Sequence, residues 1–176
     1  AARRQDGKSD RLDAEQMARS VLSGTATAMP KAKTGLVEVI RTLRVTRASA
    51  VKSRTQAFNT LFGIMIAAPS PLRDELVVLQ KRTLVNRCAG LRPEAADLLE
   101  LADAPHRLLL AAVKTALRDL ARRWKALDEE IKTLNRQLQQ LVTRAAPQLV
   151  ELFGVGVELA GQFLMTAGDN AERIRS

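Results

Sequence analysis

The chain has 176 residues, with 28 Lys and Arg against 19 Asp and Glu, for a formal net charge of +9. Apolar residues make up 46% and charged residues 27%, a globular mixture that excludes a disordered or collagen-like chain. One cysteine, Cys88, excludes an internal disulfide framework, and with one histidine, His106, there is no Cys/His zinc set and no His-based triad to build within the chain. The longest apolar run, 62–68, is too short for a bilayer, and the first ten residues hold no hydrophobic signal region. The chain opens without Met and closes on Glu-Arg-Ile-Arg-Ser with no change of composition, and it reads as a piece of a longer protein.

Ala, Leu and Arg dominate, Gly is sparse and β-branched clusters are few, so an all-α chain is expected. In chain order, Ser9 is placed to cap a helix running to about Leu22, and Thr34 a long one running to about Ile66. Ser70-Pro71, followed by Asp74 and Glu75, marks another helix start. Pro93, Pro105 and Pro147 open three more. Linkers fall at 23–30, 67–70, 89–92 and 102–104. The clearest periodicity lies between Leu110 and Leu141. Leu110, Leu117, Trp124, Ile131 and Leu138 hold one heptad position, and Val113, Leu120, Leu127, Leu134 and Leu141 the other. Such a stripe is a coiled-coil seam, whose partner is a second copy or another helix of the chain. Trp124 is large for a seam and points to a local widening or a third helix nearby.

Charge is unevenly placed. Residues 1–60 hold 12 basic and 5 acidic side chains, and the helix over 34–66 has no acid after Glu38. Its apolar seam begins with Leu36, Ile40 and Leu43, then meets Arg47 and Arg54 at the next positions of that register. Val51, Phe58, Phe62 and Met65 offer an alternative stripe. Arg41, Arg44, Arg47, Lys52 and Arg54 are candidate nucleic-acid-binding residues, a rail for phosphates. The other reading is a solvated basic face, or arginines that pair with acids of another helix such as Asp128, Glu129 or Glu130.

Two motifs could carry chemistry. In Gly7-Lys8-Ser9-Asp10-Arg11-Leu12-Asp13-Ala14, Asp10 and Asp13 share one face of a first helical turn. A Mg²⁺ ion uses one or two such carboxylates, completed by water and phosphate oxygens. Ordinary first-turn acids are the plainer explanation of that spacing. Met17, Ala18, Val21 and Leu22 should bury the rest of this helix. The second motif is Leu152-Phe153-Gly154-Val155-Gly156-Val157-Glu158-Leu159-Ala160, between two short helical patterns. It looks like a helix-hairpin-helix, in which Gly154 and Gly156 permit a tight turn and expose N–H groups to a phosphate. The absence of Lys and Arg over 147–172 keeps a purely structural turn in play. His106 reads as a helix-end residue and Cys88 as a small buried apolar one.

The stretch Lys8-Ser9-Asp10-Arg11-Leu12-Asp13-Ala14 resembles the last acidic motif of the DEDD-type bacterial insertion-sequence transposases of the IS-one-ten, IS-one-sixteen and IS-nine-oh-two class. Further stretches are similar to that family in the same order. They are Ala28-Met29-Pro30-Lys31-Ala32-Lys33, the run from Leu43 to Gln56, Cys88-Ala89-Gly90-Leu91-Arg92-Pro93, and Thr166-Ala167-Gly168-Asp169-Asn170 with Arg173-Ile174-Arg175-Ser176. The resemblance implies the helical part of an RNase H/RuvC-like domain over 1–104, a coiled-coil connector over 105–143, and the helix-hairpin-helix start of a C-terminal transposase domain over 144–176. It further implies metal-dependent cleavage and rejoining of DNA in a bacterial cytoplasm, with a guide RNA in some members. A homo-oligomer joined through the coiled coil is expected. Asp10 and Asp13 would be the third and fourth acids of a Mg²⁺ site. The first two acids and the nucleophilic serine would lie outside these residues, so the chain alone should be inactive. The rival readings are a non-enzymatic helical scaffold and a nucleic-acid-binding module without catalysis.

Overall fold

A computed structural model describes residues 10–25, 31–94, 98 and 103–170. Regular structure among them is entirely helical. The helices are α1 (Asp10–Leu22), α2 (Leu36–Ile66), α3 (Leu72–Val77), α4 (Lys81–Ala89), α5 (Pro105–Ala145), α6 (Pro147–Glu151) and α7 (Val157–Ala167). Pro105 and Pro147 stand in the first turn of α5 and α6, where a missing N–H costs nothing.

The two long helices form an antiparallel hairpin. Arg47 reaches Asn135 and Arg54 reaches Asp128, so seven residues up α2 match seven residues down α5. The partner of the α5 stripe is therefore α2 of the same chain, and Leu117, Ile131, Leu134 and Leu138 are buried without a second copy. Of the two partners the sequence left open for this stripe, another helix of the chain is the one observed. On α2 the register begun at Leu36, Ile40 and Leu43 does not switch. It runs on through Ala50, Ala57 and Leu61, all buried, with Arg47 and Arg54 at the intervening positions. Of the alternative stripe, Met65 is buried and Phe58 packs against the core, while Phe62 is exposed.

Two apolar cores anchor the ends of this hairpin. Ile40, Leu138, Val142 and Ala160 form one, where α7 packs across both long helices. Leu61, Met65, Leu72, Leu76, Leu84, Val85, Cys88, Leu91, Leu117 and Ala121 form the other, where α3 and α4 fold back. The helix expected after Ser70-Pro71 breaks at Val78 and Gln80 into α3 and α4. The break lets Leu72 and Leu76 face the same core as Leu84, Val85 and Cys88. Helix α4 is the third helix that Trp124 called for. Its Lys81 Nζ lies 4.2 Å from the Phe58 ring centroid and 6.0 Å from that of Trp124.

The start of α2 is held from far along the chain. The expected cap, Thr34, gives way to Gly35, which makes no side-chain cap. The carboxylate of Asp169 accepts instead from Val37 N–H at 2.9 Å and Gly35 N–H at 3.2 Å. That satisfies two of the donors a helix start leaves open. A Cβ at Gly35 would come 2.2 Å from Asp169 Oδ1, so the close approach requires glycine. Lys31 adds a hydrogen bond from Nζ to the Met165 carbonyl.

Candidate functional site

Helix α1 places Asp10 and Asp13 in its first turn, on one face, with Asp10 exposed and Asp13 half-buried. The positive end of the helix favours both carboxylates. Two carboxylates are enough protein ligands for Mg²⁺ when phosphate and water supply the rest, so the pair fits a partial site. Among the described residues no group of three or more His, Cys, Asp or Glu gathers to complete it. Ser9, the expected cap, lies outside the described residues. The expected burial of this helix is not found: none of its residues is buried, and Met17, Val21 and Leu22 are exposed. The helices described here offer its apolar side no enclosing surface.

The basic face of α2 has one acid of its own, Glu38, and receives others from neighbouring elements. Arg41 binds Glu38 one turn back, with Nη2 2.6 Å from the carboxylate. Arg44 donates to the Glu158 carbonyl at 2.7 Å and pairs with the Glu158 carboxylate at 3.2 Å. Arg47 bonds Asn135 and pairs with the same carboxylate at 3.1 Å. Arg54 pairs with Asp128, and its guanidinium lies 5.6 Å from the Trp124 ring centroid. Lys52 is exposed. The physical reason is register: Arg47 and Arg54 stand where a seam residue would, so they face α5 rather than solvent. Of the readings left open for these cations, the pairing of Arg54 with Asp128 is observed.

Burial alone would push the Asp128 carboxyl up. Hydrogen bonds from Lys132 and Arg54 more than reverse this, leaving it below its ordinary value. Cys88 moves the other way: burial pushes its thiol up to about 11, which makes it an inert core group. His106 is the second residue of α5.

The glycine turn joins α6 to α7. Gly154 adopts a left-handed φ of 81°, and Gly156 is the extended residue that starts α7. A Cβ at either would meet nothing within 4 Å, so both backbones are open to an approaching group. The first turn of α7, however, already carries Glu158, which lies between Arg44 and Arg47. That carboxylate disfavours a phosphate at the same helix end. The small residue expected to face a partner is found as Ala160 and Gly161. Their partners are α2 and α5, since a Cβ on Gly161 would come 2.9 Å from Arg44 and 3.5 Å from Val142.

A group of cations outside those residues went unrecognised in the sequence. Arg92, at the turn after α4, and Arg118 and Arg122 of α5 line one groove of about 630 Å³. The available signal was the four-residue spacing of Lys114, Arg118 and Arg122 beside the Cys88–Pro93 motif. No family model, curated protein or solved structure matches the chain.

Proposed function

We propose that the chain is the central part of a DEDD-type insertion-sequence transposase, acting in metal-dependent cleavage and rejoining of DNA. The observation that supports this most is α1, whose first turn presents Asp10 and Asp13 together on an otherwise unburied amphipathic helix. Such a helix suits an edge of an RNase H/RuvC-like domain whose other two acids come from elsewhere. Bound Mg²⁺ would neutralise charge developing on the scissile phosphate. Asp10 and Asp13 would hold that ion from one side. The α6–α7 turn would belong to a helix-hairpin-helix, and the α2–α5 hairpin would be a rigid connector between the two parts.

The test is recombination by the complete reading frame that contains this chain. Asp10→Asn and Asp13→Asn should each abolish metal-dependent strand transfer while leaving the helical circular dichroism unchanged. Wild-type strand transfer by either variant would reduce the pair to first-turn acids and overturn the reading. A second reading, a non-enzymatic helical scaffold, is favoured by the internal pairing of Arg44, Arg47 and Arg54. It predicts no recombination from the wild-type frame.

A further inference from the structure

A concentration of positive charge lies where the turn after α4 meets α5. The chain leaves α4 at Gly90, buries Leu91 in the core and turns Arg92 outward. Opposite it, Arg118 and Arg122 project from α5 into the same groove, with Thr115 between the helices. Lys114 continues the row and lines the neighbouring groove, which also contains Arg92. Steps of four residues place these α5 cations about 6 Å apart along the axis, and the row from Lys114 to Arg122 is about 12 Å long.

Among the described residues, Asp119 takes one N–H of Arg118 at 3.0 Å and is itself exposed, Glu94 interacts electrostatically with Lys114, and Glu75, paired with Arg87, lines the neighbouring groove. The guanidinium of Arg118 keeps its other donors for a further acceptor. This contrasts with α2, where Arg44, Arg47 and Arg54 are held by acceptors from α5 and α7.

We propose that the groove between Arg92 and the Lys114–Arg118–Arg122 row holds successive backbone phosphates of a nucleic-acid strand. A row of point charges along a helix matches a chain of anions better than one compact anion, and guanidinium groups bind phosphate oxygens in pairs. No aromatic side chain lines the groove, so the contact is to the backbone and sequence-independent. The choice of nucleic acid as the polyanion rests on the transposase reading, whereas the charged groove stands without it.

The experiment is fluorescence anisotropy of the intact chain with a labelled oligothymidylate strand over a salt series. Replacing Arg92, Arg118 and Arg122 together by Gln should weaken binding by roughly 100-fold at about 0.1 M salt and flatten the salt slope by about 2. A control variant removes the same charge elsewhere, through Arg82→Gln, Arg136→Gln and Arg144→Gln, and should keep the slope within about half a unit of wild type. Equal losses in the two variants, or a wild-type chain that prefers anionic phospholipid vesicles to the strand, would overturn the site. Should the triple variant lose its fold by circular dichroism, Arg92→Gln with Arg122→Gln, both at exposed positions, must still flatten the slope by about 1.4. Loss of the groove effect with intact dependence of recombination on Asp10 and Asp13 would refute this site alone. The reverse result would refute the metal reading alone.

Discussion

Arg54 shows how one residue can look like surface charge in sequence and act as structure. It occupies a seam position, pairs with Asp128 and lies over Trp124. The Asp128 side chain is 14% exposed and that of Arg54 30%, so the pair is largely withdrawn from solvent. Asp128→Asn should cost about 2 kcal/mol near neutral pH by leaving a half-buried guanidinium without its counter-charge. The folded pKa of Asp128 lies below the ordinary 3.8. Its contribution is therefore fully present above that value and is lost as pH falls through the folded value. Denaturant titrations of wild type and Asp128→Asn should show a stability gap that is constant above pH 5 and shrinks below about pH 4. A gap unchanged down to pH 2 would mean that the ion pair contributes nothing. The arginine was legible as a charge and as a register position. Its partner was legible only as one of several acids, because choosing among Asp128, Glu129 and Glu130 requires the hairpin register. Ala50 and Ala57 were not legible as seam residues, since alanine is placed by helix propensity as readily as by burial.

Among the elements, α5 was the plainest from sequence and α2 the least plain, although they form one hairpin. The α5 stripe uses large Leu and Ile side chains in unbroken heptads, a pattern with few alternative causes. The α2 face combines small and cationic residues, and only the facing helix makes sense of them. The N-terminus of α2 was hidden for a different reason. Its cap, Asp169, is 132 residues away from Val37, and local capping patterns do not extend so far. Asp169→Ala should destabilise the fold by about 1 kcal/mol, the usual worth of a cap, with fraying confined to the first turn of α2 and the 31–35 segment. Amide exchange at Val37 and Glu38 measures this directly. Unchanged protection at both positions would show that the carboxylate is not the cap. The Asp10–Asp13 pair was legible as a spacing, and the structure keeps it on one helical turn. Among the described residues no third His, Cys, Asp or Glu joins it.

At the scale of the molecule, α2, α5 and α7 contribute to one apolar core through Ile40, Leu138, Val142 and Ala160. Two apolar ends carry the hairpin, and polar contacts from α2 to α5 and α7 lie between them. Two groups stand out among the described basic residues. One is held by the fold itself, at Arg44, Arg47 and Arg54. The other is gathered at the groove beside Arg92. No helix among the described residues is long and apolar enough to cross a membrane. The measurement that reaches this account most directly uses a single variant, Arg44→Gln with Arg47→Gln and Arg54→Gln, and reads two quantities from it. A loss of about 2 kcal/mol from the seam should lower the melting temperature by about 6 °C. The salt slope for oligothymidylate should stay at its wild-type value. An unchanged melting temperature together with a slope flattened by about 2 would place the phosphates on α2 and contradict the account.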